Sequence, residues 1–126
     1  MNKTVWQDLH DNYKTRDWSH KPSLFAETAV THFPTGGMVL ELGAGLGQDS
    51  LFFAENGYDV TSTDIESDEL SGQFAVMPDK IQERVSVRRV DLREELPFAD
   101  GEFNVVYAHL SGVHNLVRFV GRKPAV

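Results

Sequence analysis

The residues best suited to bind a small molecule form an apolar run that ends in an acid and passes into a glycine-rich turn, the segment 39–49 with sequence VLELGAGLGQD. The apolar part is typical of a buried strand, and its glycines let the backbone turn sharply and approach a ligand before a helix begins. Glu41 limits the ligand, because a carboxylate at the mouth would repel a pyrophosphate and attract a cation. The pattern predicts a site for a cationic ligand without phosphates, although such glycines can also serve the turn geometry alone.

The spacing of the next acid supports a nucleoside-type ligand. Gly43, Gly45 and Gly47 are spaced G-x-G-x-G, unlike the G-x-G-x-x-G of dinucleotide sites, and S-adenosylmethionine is a cationic ligand that suits such a turn. Asp64 follows Gly43 by 21 residues, at the end of an alternating stretch that predicts a second strand. An acid about 20 residues beyond the glycines reaches a ribose diol, because one helix and one strand intervene. Asp64 is therefore the candidate ribose ligand, with a solvated loop acid as the alternative.

The elements that position these residues alternate along the chain. Hydrophobic periodicity and capping signals predict helices over 4–14, 22–33, 48–56 and 67–77, and strands over 38–42, 58–63, 85–90 and 103–109. This alternation predicts an α/β doubly wound sheet with right-handed crossovers and a ligand at the carboxyl ends of the strands. Arg88 and Arg89 predict that the third strand lies at an edge of the sheet.

With these motifs in order, the chain resembles the class I S-adenosylmethionine-dependent methyltransferases, in their small-molecule branch. The resemblance covers about residues 1–111 and rests on four segments: 39–49, Thr63-Asp64-Ile65, Val90-Asp91-Leu92 and 96–107. It implies a partial Rossmann-like parallel sheet with strand order 3-2-1-4 and helices at the N-terminus.

The resemblance also implies a role for individual residues. In that family, the acid at Glu41 and the turn backbone hold the methionyl end of the cofactor, and the acid at Asp64 takes the ribose hydroxyls. The pair Asp91 and Leu92 reads the adenine amino group and ring, and the segment that starts near His109 closes the pocket beside the sulfonium. The residues that complete this cofactor-binding set are Gly43, Ala44, Gly45 and Gly47 in the turn, and Ile65, which packs on adenine.

One methyltransferase domain is expected over 1–126, with an N-terminal helical lid at 1–34, a Rossmann-like core at 35–111 and a divergent tail at 112–126. A complete family member continues through three more strands, so the chain looks C-terminally shortened. No fifth strand is predicted, which would leave the edge of the fourth strand exposed. A short helix with apolar positions Val113, Leu116, Val117 and Val120 could lie over the sheet, but it would leave the hydrogen-bonding groups of the edge unpaired. We therefore expect homo-oligomer formation through that edge or marginal stability.

The composition limits the kinds of partner that the chain is expected to bind. The formal charge of -7 and the lack of clustered Lys and Arg argue against nucleic acid, and the absence of cysteine excludes disulfides and cysteine-ligated metal. The N-terminus lacks a signal-peptide core and no apolar run approaches a membrane span, so a cytoplasmic protein is expected. The histidines lack metal-ligand spacing, so no metal site is expected.

The leading functional hypothesis is methyl transfer from S-adenosylmethionine to a small-molecule nucleophile. Such a reaction needs positioning more than acid-base residues, so no catalytic residue is assigned. His109 and His114 could act as bases, but packing roles are the simpler interpretation. Two alternatives stay open: an inactive S-adenosylmethionine-binding module, and a nicotinamide-dependent oxidoreductase, which Glu41 and the glycine spacing disfavour.

Overall fold

A computed structural model describes residues 21–109 and the backbone of 118–121. The helix predicted over 4–14 lies outside these residues. Four parallel strands occupy the centre of the fold: β1 (Met38–Leu42), β2 (Asp59–Asp64), β3 (Val85–Arg89) and β4 (Val105–His109). Their order is β3-β2-β1-β4, which confirms the predicted 3-2-1-4 arrangement.

The helices connect these strands close to the predicted positions. They are α1 (Leu24–Ala29), extended by a 3-10 turn at Val30–His32, then α2 (Gln48–Glu55), α3 (Ser67–Ala75) and the short α4 (Asp79–Gln82). Helix α1 begins two residues later than predicted, because Ser23 is its N-cap and accepts a hydrogen bond from the amide of Ala26. Helix α4 was not predicted, since four residues are too few to show a helical period.

The apolar core lies between the sheet and its helices. Tyr107, Val39 and Val60 from the sheet and Phe53 from α2 are among its fully buried side chains, and they pack in one cluster with Ala26 and Ala29 of α1. On the α3 side a second cluster joins Ala44, Leu51, Leu70 and Phe74. Both clusters hold the start of α2 against the sheet, which fixes the position of the glycine-rich turn that precedes it.

The far side of β4 is where the sequence prediction is wrong. A fifth strand, β5 (Arg118–Gly121), pairs antiparallel with β4 along its whole length, from Val106 opposite Gly121 to His109 opposite Arg118. Val120 lies in this strand opposite Tyr107, not in a helix. An antiparallel segment satisfies the amides and carbonyls of β4 directly, which a helix on the sheet face would not do.

Because β5 occupies the edge of β4, that edge is not free to pair with a second copy of the chain. Positions 113–117 of the predicted helix lie outside the described residues. At the opposite border of the sheet, β3 is an edge strand as predicted, and Arg88 and Arg89 are exposed there. Within the described part of the chain, no helix is long and apolar enough to cross a membrane.

Candidate functional site

The turn between β1 and α2 uses its glycines for two different purposes. Gly45 and Gly47 both have a positive φ, 62° and 87°, which favours glycine. A Cβ on Gly45 would meet no atom within 4 Å, whereas a Cβ on Gly47 would lie 2.7 Å from the Phe74 ring and 2.9 Å from Leu70 Cδ1. Gly47 therefore serves packing against α3, and Gly45 keeps open space in front of the backbone where a ligand can approach.

Asp64 at the end of β2 contacts this turn directly. Its Oδ2 accepts a hydrogen bond of 2.9 Å from the Gly45 amide, and its Oδ1 accepts one of 2.9 Å from the Glu66 amide. The amide of Ala44 donates to the Thr63 carbonyl at 2.7 Å, which joins the turn to β2. Each carboxylate oxygen can accept a second hydrogen bond, so Asp64 can still bind a diol. The structure thus brings together the glycine turn and the acid that sequence spacing had paired.

Glu41 lies deeper than the sequence analysis expected. Instead of standing at the mouth of the site, it is 2% exposed, and the Ser50 hydroxyl donates to its Oε1. Ser50 Oγ also lies 2.6 Å from Ser62 Oγ. Burial, and then the nearby charge of Asp49, raise the pKa of Glu41 well above its usual value, against the hydrogen bonds from Ser50. The carboxyl group forms the floor of the site rather than its rim.

Asp91 follows β3 at the same edge of the sheet. The Arg93 side chain donates to both of its carboxylate oxygens, with Nε 2.9 Å from Oδ1 and a terminal nitrogen 2.7 Å from Oδ2. These hydrogen bonds, with one from the Arg93 amide, lower the pKa of Asp91 to about 2. Asp91 is therefore an ionised acceptor whose partner, an 83% exposed arginine, can move aside.

Exposed apolar side chains follow β1, β2 and β3 along the chain. Ile65 directly follows β2 and is 42% exposed, and Leu92 follows β3 and is 45% exposed. Leu46, in the turn after β1, is also exposed and was not predicted, because its position in the G-x-G-x-G spacing is the variable one. Large apolar side chains left in solvent at one edge of a sheet are typical of a ligand-binding surface.

A buried polar network centred on Asp49 lies beside the turn, and sequence reasoning missed it. Asp49, in the first turn of α2, accepts hydrogen bonds from the Ser23 amide at 2.7 Å, the Ser23 hydroxyl at 2.8 Å and the Tyr107 hydroxyl at 2.6 Å. Burial and the bond to Asp49 raise the pKa of Tyr107. Its partners lie 26 and 58 residues from Asp49, so no local spacing could have revealed them.

His109 closes this network at the end of β4. Its Nδ1 lies 3.8 Å from Asp49 Oδ2, its side chain is largely buried, and its ring packs edge-to-face on Phe25 with centroids 5.5 Å apart. Since Ala108 pairs with Leu42, His109 lies one residue beyond that pair, next to the start of the glycine turn. Among residues 21–109, no group of three or more His, Cys, Asp or Glu side chains could hold a metal ion.

Four parallel strands in this order, with an open glycine turn after the first strand and an acid after the second, form a Rossmann-like fold. A family model described as a methyltransferase domain matches residues 39–120, more than half of the chain. The chain belongs to that methyltransferase domain family. The match reaches into β5. No curated protein sequence matches the chain.

Several solved structures are similar to this chain in fold. The glycopeptide N-methyltransferase MtfA is 25% identical, with a TM-score of 0.56, over 67% of this chain and 37% of its own. A putative S-adenosyl-L-methionine-dependent methyltransferase from Methanococcus maripaludis is 18% identical, with a TM-score of 0.63, over 88% and 53%. The [4+2]-cyclase SpnF is 21% identical, with a TM-score of 0.57, over 66% and 32%. The chain thus spans about a third to a half of each of these structures.

Proposed function

We propose that the chain binds S-adenosylmethionine at the carboxyl edge of its sheet, as the cofactor domain of an enzyme that methylates a small-molecule nucleophile. The observation that carries this proposal is the contact between Asp64 and the open glycine turn at Gly45. Family membership supports it, and so do the MtfA structures complexed with S-adenosylmethionine, S-adenosylhomocysteine and sinefungin. The cytoplasmic location stays a prediction from the sequence.

The residues of the turn fit the methionyl and ribose parts of this cofactor. The backbone at Gly43, Ala44 and Gly45 carries no side chain larger than a methyl group, so the ligand can lie against it. Asp64 retains acceptor capacity for the two ribose hydroxyls.

The adenine end fits the exposed apolar residues of the neighbouring strands. Ile65 and Leu92 offer apolar faces for a purine ring, and the Asp91 carboxylate is an acceptor for its amino group. Arg93 would then share or release that carboxylate. His109, next to the turn at the end of β4, would close the pocket on the sulfonium side.

The bound cofactor supplies an activated methyl group on a sulfonium, so the chain's own residues orient it and need not activate it. Displacement in line gains its rate from positioning, which the sheet edge provides. The fold alone does not fix the reaction, since the fold of a [4+2]-cyclase is similar. An inactive cofactor-binding module would bind the same ligands without turnover.

Calorimetry tests the proposal with S-adenosylhomocysteine, S-adenosylmethionine and NAD as the three probes. The first two should bind and NAD should give no heat, because its pyrophosphate would lie near the carboxylates of Asp49 and Asp64. Tighter binding of NAD would reverse the assignment. Binding of S-adenosylmethionine without formation of S-adenosylhomocysteine, across a panel of amine, phenol and thiol acceptors, would favour the binding module.

A further inference from the structure

Glu41 is a buried acid without a counter-charge. Its side chain is 2% exposed, and within the described part of the chain it forms no ion pair with a basic group. The charged groups that face it are acids: Asp49 from α2 and Asp64 from β2. A buried carboxyl group in such surroundings holds its proton, because ionisation would bury an unpaired charge beside two others.

The hydroxyls around Glu41 can serve either protonation state. Ser50 Oγ lies within hydrogen-bond distance of both Glu41 Oε1 and Ser62 Oγ, yet a hydroxyl group donates only one proton. When Glu41 is ionised, Ser50 donates to it and Ser62 donates to Ser50. When Glu41 is protonated, it donates to Ser50, which donates to Ser62. The heavy atoms need not move between these states, so the carboxyl group can lose or regain a proton in place.

We propose that Glu41 is a proton-linked counter-ion of the cofactor site, which holds a proton while no cation lies over the glycine turn and releases it to solvent when a cationic ligand binds. The carboxyl O–H bond breaks, its electron pair stays on the carboxylate, and the proton leaves to buffer. The inference deepens the proposed function and rests on it, because it names the cofactor as the cation. The chemical class it selects is a nucleoside of net positive charge without phosphates.

The direction of the proton transfer follows from the charges around Glu41 in the free and the ligand-bound protein. Burial, with the nearby charges of Asp49 and Asp64, raises the pKa of Glu41, and a bound cation lowers it, so release occurs between the pKa values of the bound and free states. Tyr107, on β4, stays neutral because burial raises its pKa, so it adds no further negative charge near Glu41. S-adenosylmethionine and sinefungin carry one net positive charge and S-adenosylhomocysteine carries none, so the first two should release more protons.

The test is calorimetry of sinefungin and S-adenosylhomocysteine in two buffers, phosphate and Tris, which differ in ionisation enthalpy. The dependence of the heat on the buffer gives the number of protons released. We expect release with sinefungin, less with S-adenosylhomocysteine, and none with either ligand in Glu41→Gln. The affinity for sinefungin should rise with pH, by about tenfold per unit where one proton is released, and this slope should vanish in the variant.

The matched control is Asp59→Asn, which removes an exposed acid at the other end of β2 and should release protons as the wild type does. If Glu41→Gln does not fold, ¹³C carboxyl NMR of the wild-type protein decides, since the Glu41 signal should move from the protonated to the ionised position as sinefungin is added. No release in the wild type, or unchanged release in Glu41→Gln, overturns the inference alone. Absence of binding by both ligands overturns the proposed function with it.

Discussion

Replacement of Tyr107 by Phe should destabilise the protein by removing one hydrogen bond while keeping the core intact. The Tyr107 side chain is fully buried, stacked on Phe25 with ring centroids 5.4 Å apart and edge-to-face with Phe53 at 4.8 Å. Phenylalanine preserves both ring contacts. It removes the hydroxyl that donates to Asp49 at 2.6 Å and lies 3.3 Å from the Ser23 hydroxyl, so that among the described residues the Asp49 carboxylate keeps the two donors of Ser23.

A hydrogen bond to a charged group contributes about 1.5–3 kcal/mol to stability. For a domain of this size, 1 kcal/mol corresponds to roughly 4 °C in Tm, so Tyr107→Phe should lower Tm by about 6–12 °C. Urea unfolding should show the same loss as a lower midpoint with an unchanged slope. The interaction free energy between Tyr107 and Asp49 can be measured by comparing Tyr107→Phe, Asp49→Asn and the variant that carries both substitutions. The losses of stability in the two single variants should not add up to the loss in the double variant.

The control is Tyr58→Phe. Tyr58 is also buried and packs edge-to-face on Phe33, but in the described part of the chain its hydroxyl forms no hydrogen bond. Its Tm should change little. If Tyr107→Phe lowers Tm no more than Tyr58→Phe, or if the double variant shows simple additivity, then the Asp49 network does not stabilise the fold as argued.

Three further predictions concern the site itself. Asp64→Ala should weaken S-adenosylhomocysteine binding by about 10- to 150-fold in calorimetry, the equivalent of roughly 1.5–3 kcal/mol, whereas Glu66→Ala, which removes an exposed neighbouring acid, should bind normally. Gly47→Ala should lower Tm because its Cβ would clash with α3. Gly45→Val meets no atom but is strained at a φ of 62°, so it should lower Tm without preventing folding and should lose cofactor binding; unfolding of Gly45→Val would assign that glycine to the backbone alone. Because the pKa of Glu41 is raised in the folded state, Glu41 contributes its full stabilisation below the unfolded-state pKa of about 4.5, and this contribution is lost as the pH rises through the folded-state pKa. Urea unfolding measured across this pH range should show the decline in stability. The decline should be smaller in Glu41→Gln.

The sequence determined those features that depend on neighbours along the chain. The alternation of apolar and polar residues and the helical spacing of apolar residues predicted the bounds of β1, β2 and α2 to within one residue of those in the structure. These patterns are local because the period of side-chain directions follows from backbone geometry. The spacing from the glycine turn to Asp64 placed the two together, since one helix and one strand return the chain to the adjacent position in the sheet. Arg88 and Arg89 marked the edge strand through their charge alone.

Tertiary structure decided the features that depend on distant parts of the chain. An acid in an apolar strand can face the mouth of a site or its floor, and only the packing of Ser50 and Ser62 around Glu41 buried it. The Asp49 network needed α1 and β4 to meet at the start of α2. Strand β5 formed because β4 offered unpaired amides and carbonyls to whatever segment reached them, a requirement that belongs to the sheet and leaves no periodic signal in the segment itself.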